Sequence, residues 1–396
     1  MIHRQWLRRM TVVLLLATVG LSGCSKLNTL LGRATPIPLG AILRIGLIGP
    51  MPGLGDFEGG YTGNAALLAI EQVKASGGIP WAGKRYQLSI VHGAGVDADN
   101  QMRGLVFATL APIAIIGPDE SGPAVAALPI AQSAHIPQLT IATDTTLTDP
   151  TKNQNDTTIF RMRPSDLAQA RAVTTYAVRS LDARSITVAT IDSDYGRFGA
   201  TTIAQEIASL GGAVPTQTTM SPGTGDVSKA VQAVMANHSD TVICWSPDFE
   251  ASLLAHTLHA AGWHGNFVVG VADADFIALA GSDGDGAIGA ISWTPTAPSM
   301  LSQTFVAQYT KRFGNTPDEH AAATYDAVQL IISAIENVGP APDAINHYLA
   351  HLSNQAGVQG MYDARAGATL GAQGDLIATP LLVSIRGGKV TILTTS

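Results

Sequence analysis

Short runs rich in β-branched residues alternate with longer segments of helical period along most of this chain, and that rhythm limits the fold more than any other feature. Residues 42–48 precede a helical stretch at 62–75, residues 86–91 precede 100–110, and residues 113–116 precede 122–133. Such alternation predicts a parallel sheet covered by helices. The rhythm restarts after Phe160-Arg161, with helices over 167–181, 198–210, 227–236 and 249–261 and strands over 185–191, 213–219, 241–245 and 266–271. A restart predicts a second lobe, so the chain reads as α/β with two doubly wound, parallel-sheet lobes. A strand at 287–292, helices over 301–313, 321–338 and 342–353, and strands near 381–385 and 389–393 complete it.

The first 24 residues make a second statement. A basic stretch ends at Arg9, an apolar run follows to Leu21, and Leu21-Ser22-Gly23-Cys24 closes the segment. The pattern predicts a signal peptide over residues 1–23, its apolar run being short for a membrane span of about 20 residues. The residues before Cys24 resemble a bacterial lipobox, which implies that Cys24 becomes the lipidated first residue and that the protein works outside the cytoplasm, anchored at a bacterial membrane in the periplasm or on the cell surface. Residues 24–40, with two prolines and weak periodicity, read as a tether, and the fold is expected to begin near Ala41.

Formal net charge is −7, and loss of Arg4, Arg8 and Arg9 with the leader brings the mature chain to about −10, which argues against a nucleic-acid partner. With Cys24 acylated, Cys244 has no thiol to pair with. Its place in the apolar run Thr241-Val242-Ile243-Cys244-Trp245 reads as a buried, inert thiol.

Several motifs resemble, in order, the branched-chain amino-acid (Leu/Ile/Val) binding protein family of transport receptors. They are Ile45-Gly46-Leu47-Ile48-Gly49-Pro50-Met51-Pro52-Gly53, Ala69-Ile70-Glu71 with Gly77-Gly78, Ile116-Gly117 with Ser121-Gly122, and Phe160-Arg161 with Pro164-Ser165-Asp166 and Gln169. Asp194-Tyr195-Gly196, Thr324-Tyr325-Asp326-Ala327 and Gly374-Asp375 follow. The resemblance implies the type I periplasmic binding fold, with three crossovers between lobes. Lobe 1 is then expected over 41–162 and 292–377, and lobe 2 over 163–291 and 378–396. It also implies an ABC transporter solute-binding protein that holds an amino acid or amide-like metabolite between its lobes, hands it to the permease membrane subunits, and performs no catalysis.

Ligands of open α/β sheets sit beyond the C-terminal ends of the strands. Ser121-Gly122-Pro123 follows such a strand, and a helix N-terminus with Pro in its first turn favours an anion. In the family this serine and backbone groups of the next strand's loop, here Thr140 to Thr145 with Ala142, Thr143 and Asp144 at its centre, receive the ligand carboxylate. Asp144 stands where a threonine is expected, so either Thr143 or Thr145 does that work or the solute is not an ordinary α-amino acid. The resemblance further implies that Tyr195 faces the cleft, that Asp273, with Asp275 behind it, meets an ammonium, and that Trp245 and Phe57 supply aromatic contacts.

Other chemistries find little support. Gly53-Leu54-Gly55 with Gly59 and Gly60 has the wrong spacing for a dinucleotide loop, and neither a G-x-S-x-G serine nor an H-E-x-x-H pair occurs. His256, His259 and His264 lack a carboxylate at dependable spacing and read as a solvated helix face, and Asp283-Gly284-Asp285-Gly286 reads as a turn. No cofactor or metal is expected. A sensor or envelope-assembly lipoprotein on the same fold remains the alternative to a transport receptor.

Overall fold

Each strand series closes into its own sheet. The structure is a computed structural model that describes residues 39–49, 57–93, 97–153 and 157–393, and their side chains except at 39 and 57–59. The leader, Cys24 and nearly all of the tether lie outside the described residues. In the first sheet, β1 (Leu39–Leu47), β2 (Ile79–Trp81), β3 (Lys84–His92), β4 (Ala114–Ile116), β5 (Gln138–Thr140) and β6 (Ile159–Arg161) stand in the order β2-β3-β1-β4-β5-β6. All pairings are parallel except β2 with β3.

The second sheet holds β7 (Ile186–Ile191), β8 (Thr216–Met220), β9 (Thr241–Trp245), β10 (Asn266–Val271) and β11 (Ile288–Ile291). A two-stranded hairpin, β12 (Gln355–Ala356) and β13 (Met361–Tyr362), stands apart. The last strands, β14 (Leu381–Arg386) and β15 (Lys389–Ile392), rejoin the second sheet antiparallel, giving the order β15-β14-β11-β10-β9-β7-β8. The chain therefore passes between the sheets three times: after β6, after β11 and before β14.

The central strands are buried on both faces, as runs such as Ile186-Thr187-Val188-Ala189-Thr190-Ile191 and Thr241 to Trp245 require in a parallel sheet wrapped by helices. Two separate apolar clusters cover the faces of the second sheet, one around Leu254 and Phe276 and the other around Val173 and Ile203. The helix Glu319–Val338 packs its alanine-rich face on the first sheet, beside Ala66 and Ala69 of the helix Phe57–Ala75.

Three differences from the sequence reading matter. Leu39 and Gly40, expected in the tether, already belong to β1. The edge strand β2 carries Pro80, which an edge position tolerates. Ala274–Ala280 forms a short helix that periodicity misses, because seven residues between Asp273 and Gly281 give barely two turns. Among the described residues, no helix is long and apolar enough to cross a membrane.

Candidate functional site

On the first lobe, the loop after β5 meets the start of the helix Ser121–Ala134. Ser121 is the first helical residue rather than the cap, and its Oγ accepts a hydrogen bond from the Asp144 amide at 3.2 Å. Asp144 turns its carboxylate onto its own loop, accepting from the Thr146 amide at 2.8 Å and the Thr146 hydroxyl at 2.5 Å. Ala142 is buried, its amide bonded to Thr140 Oγ1. The loop is clamped from below by Arg161, which donates to the carbonyls of Ala142 and Asp144, to Thr148 Oγ1 and to Asp375 Oδ1, all within 2.7–2.9 Å.

The crossings carry polar groups that the sequence reading did not single out as site residues. The Asp166 amide donates to the Thr143 carbonyl at 2.8 Å, which brings the Asp166 carboxyl beside the Thr143 side chain. Asp166 opens the helix Asp166–Arg179 behind the Ser165 cap, and burial pushes its carboxyl up to about 6. Arg163 Nη2 donates to Glu319 Oε1, while Glu319 Oε2 accepts from the amide and the hydroxyl of Ser292, both at 2.9 Å. One carboxylate from the first lobe thus ties the first crossing to the second.

On the second lobe, three strand ends contribute. Gly196 lets β7 turn directly into the helix Asp194–Ser209, since a Cβ there would stand 1.7 Å from the Ile191 carbonyl oxygen. That turn sets Tyr195 over Trp245, ring centroids 5.2 Å apart. Tyr195 is half-buried, and burial, with repulsion from Asp166 and Asp248, pushes its phenol well above the usual range. Trp245, expected to face a ligand, is instead fully buried in the lobe core and supports Tyr195 from behind. The expectation failed because β9 is buried on both faces, so its aromatic end points into packing. The side chain of Phe57, at the start of its helix, lies outside those described. Cys244 is fully buried, its thiol pushed up by burial to about 12, which makes it inert.

Asp273 caps the helix Ala274–Ala280, accepting from the amides of Asp275 and Phe276. Around it gather Asp248, at the start of the helix Asp248–Ala260, and Asp275, with one oxygen from each of the three within 4.8 Å of the others. Burial, then repulsion by Asp273, Asp275 and Glu319, raises the Asp248 carboxyl to about 7, and burial and Glu319 raise that of Asp273. An interlobe cavity of about 390 Å³ is lined by Asp273, Asp275 and Ile277 of the second lobe and Tyr61, Glu319 and His320 of the first.

These raised carboxyls set a pH dependence of stability. A carboxyl that holds its proton more tightly folded than unfolded favours the native state at low pH, and that advantage is lost as pH climbs from about 4 through the folded values of about 6 and 7. The thermal midpoint of the solute-free protein is expected to be higher near pH 5 than near pH 7.5, and Asp248→Asn should flatten the slope. A midpoint that rises over that interval would sink the assignment.

Away from the cleft, His256 and His259 both face Asp283, each Nδ1 bonded to a different carboxylate oxygen. The sequence reading missed this partner, which comes from 24 residues beyond His259 and looked like part of a turn. Asp283 raises the His256 pKa, chiefly through that hydrogen bond.

The chain is similar to proteins of one kind. A family model described as periplasmic binding protein matches residues 42–376. The Leu/Ile/Val-binding protein BraC3 of Rhizobium johnstonii is 24% identical over 314 residues, 77% of this chain and 82% of that protein. The substrate-binding protein LivJ of Streptococcus pneumoniae, solved with isoleucine, superposes with a TM-score of 0.72 at 22% identity, covering 89% of this chain and 99% of its own. A solute-binding protein of R. palustris, solved with benzoate, gives 0.69 at 20%, covering 89% and 95%. With its two wound sheets, three crossings and a family match over most of its length, the chain belongs to the periplasmic binding protein family.

Proposed function

We propose that this protein is the extracytoplasmic receptor of an ABC importer, closing two lobes over a small polar solute and delivering it unchanged to the permease. The observation that supports the reading is that polar groups gather beside the crossings between the sheets, Asp166 next to the Asp144 loop and Asp248 with Asp273 and Asp275 at strand ends of the second sheet, where a cavity of about 390 Å³ is walled by residues of both lobes. Relatives named or solved as Leu/Ile/Val-binding support an amino acid or a relative as solute. The lobes proposed are 41–162 with 292–377 and 163–291 with 378–396, and acylated Cys24 is the proposed membrane anchor.

In this reading Ser121, the Ala142–Asp144 backbone and Thr143 hold the polar end of the solute, Tyr195 covers it, and Asp273 and Asp166 receive its positive group. Trp245 acts through Tyr195, and Phe57 is proposed as a further aromatic contact of the solute. The test is the thermal midpoint of the full-length protein against amino acids, amides, amines, short peptides and sugars. A solute at about a thousand times its dissociation constant adds about 4 kcal/mol to the folded state. Tyr195→Ala should abolish most of that shift, and lower the solute-free midpoint by the packing it loses on Trp245. A panel without a shift rejects the receptor reading in favour of a sensor or assembly role.

A further inference from the structure

Two helices that begin at the cleft are joined at their far ends by a histidine facing two acceptors. His256 Nδ1 bonds the Asp283 carboxylate, and its Nε2 stands 3.2 Å from the Leu279 carbonyl oxygen. A carboxylate and a carbonyl only accept, so both ring nitrogens must donate, and only the charged imidazolium carries a proton on each. His259 differs: Asp283 takes its Nδ1, and a neutral ring with its proton there keeps that bond. The other ionisable groups around the cluster leave His256 as the switch. Asp285 is spent on the amides of Gly387 and Gly388, and His264 stands beside His259 with ring centroids 6.5 Å apart. Among the described residues, no lysine or arginine lines the adjoining cavity of about 370 Å³.

What lies at the other ends of these elements gives the contact a role. His256 and His259 sit in the last two turns of the helix Asp248–Ala260, which starts at the cleft with Asp248. Leu279 and Asp283 end and follow the helix Ala274–Ala280, whose cap Asp273 lines the interlobe cavity with Asp275 and Ile277. Seven residues at 1.5 Å each span only about 10 Å, so movement at one end of that helix reaches the other. Resting on the receptor reading for its consequence, we infer that His256, Asp283 and the Leu279 carbonyl form a proton-operated clasp that holds the helix Ala274–Ala280, and with it one wall of the cleft, against the helix Asp248–Ala260. Asp283 raises the His256 pKa, so the hold is complete below the usual histidine value of 6.5 and is lost as pH rises through the higher folded value. Above it, neutral His256 must release one of its two acceptors.

Amide hydrogen exchange of the full-length, solute-free protein tests it, read over residues 272–283 at pH 5.5 and pH 8.5 against His256→Gln, which is neutral at both. Comparing the two proteins at one pH cancels the intrinsic pH dependence of exchange and the titration of the cleft acids. At pH 5.5 the wild type is expected to exchange up to about fivefold more slowly, the reach of a half-exposed ion pair, and the gap should close at pH 8.5. The slowing should extend to the Asp275 and Phe276 amides, which bond Asp273 at the cleft end. Asp283→Asn should behave like His256→Gln, whereas His259→Gln should keep most of the pH-dependent gap. Equal exchange in wild type and His256→Gln at pH 5.5 would overturn the clasp, as would a gap that persists at pH 8.5. Slowing confined to residues 279–283 would overturn its link to the cleft. Protection that vanishes on adding EDTA would give the cluster to a metal ion instead of a proton. None of these measurements needs a solute, so the receptor reading stands or falls separately on the thermal panel.

Discussion

Arg161→Met is expected to lower the stability of the first lobe by about 3–5 kcal/mol, measured by guanidinium unfolding, because it strands a fully buried Asp375 without its cation. The arginine also organises the loop after β5, since two carbonyls of that loop and Thr148 Oγ1 accept its protons. Its loss should therefore loosen Ala142 to Asp144 and weaken solute binding as well. The double variant Arg161→Met with Asp375→Leu removes both charges and should recover most of the stability but not the binding, because the loop carbonyls still lack their donor. If the single variant costs under about 1 kcal/mol, the clamp is not what holds this loop.

Trp245→Ala is the second large effect. Trp245 is fully buried, and Ala in its place leaves a cavity whose cost is about 3–5 kcal/mol. Tyr195 leans on that ring, so binding should fall more than in a distant core variant of equal cost. Trp245→Phe makes the discriminating control. The indole Nε1 has no hydrogen-bond partner among the described residues, so Phe removes an unsatisfied buried donor together with some volume. A net change below about 1.5 kcal/mol is expected, with Tyr195 still supported. Equal binding in the Ala and Phe variants would show that Trp245 only fills space.

The two-lobed architecture was legible because β-branched runs and helical periods report burial on both faces directly, and β9 and β10 fall where periodicity puts them. The resemblance gave Ser121 and the Asp144 loop to one ligand carboxylate, but it did not reveal that the serine itself accepts from the amide of the residue that looked out of place. What sequence alone hid were partners set by long-range pairing. Asp166, Asp248 and Glu319 are unremarkable acids in the chain, and they become a charged cleft only when helix starts from both lobes meet the crossings. Asp166 sits within a motif that was recognised but read as a family marker. Trp245 was misplaced for the opposite reason: spacing can put an aromatic at a strand end without saying which way the ring turns.

Glu319 gives the cleft a pivot. By gripping Arg163 and Ser292 together, it couples two of the three connecting straps, so neither can swing without pulling on the other. Any rotation of one sheet against the other has to carry both straps together or break the bonds of that one side chain. The two sheets are thus strapped together by crossings that cannot move independently, with one carboxylate as the knot between them.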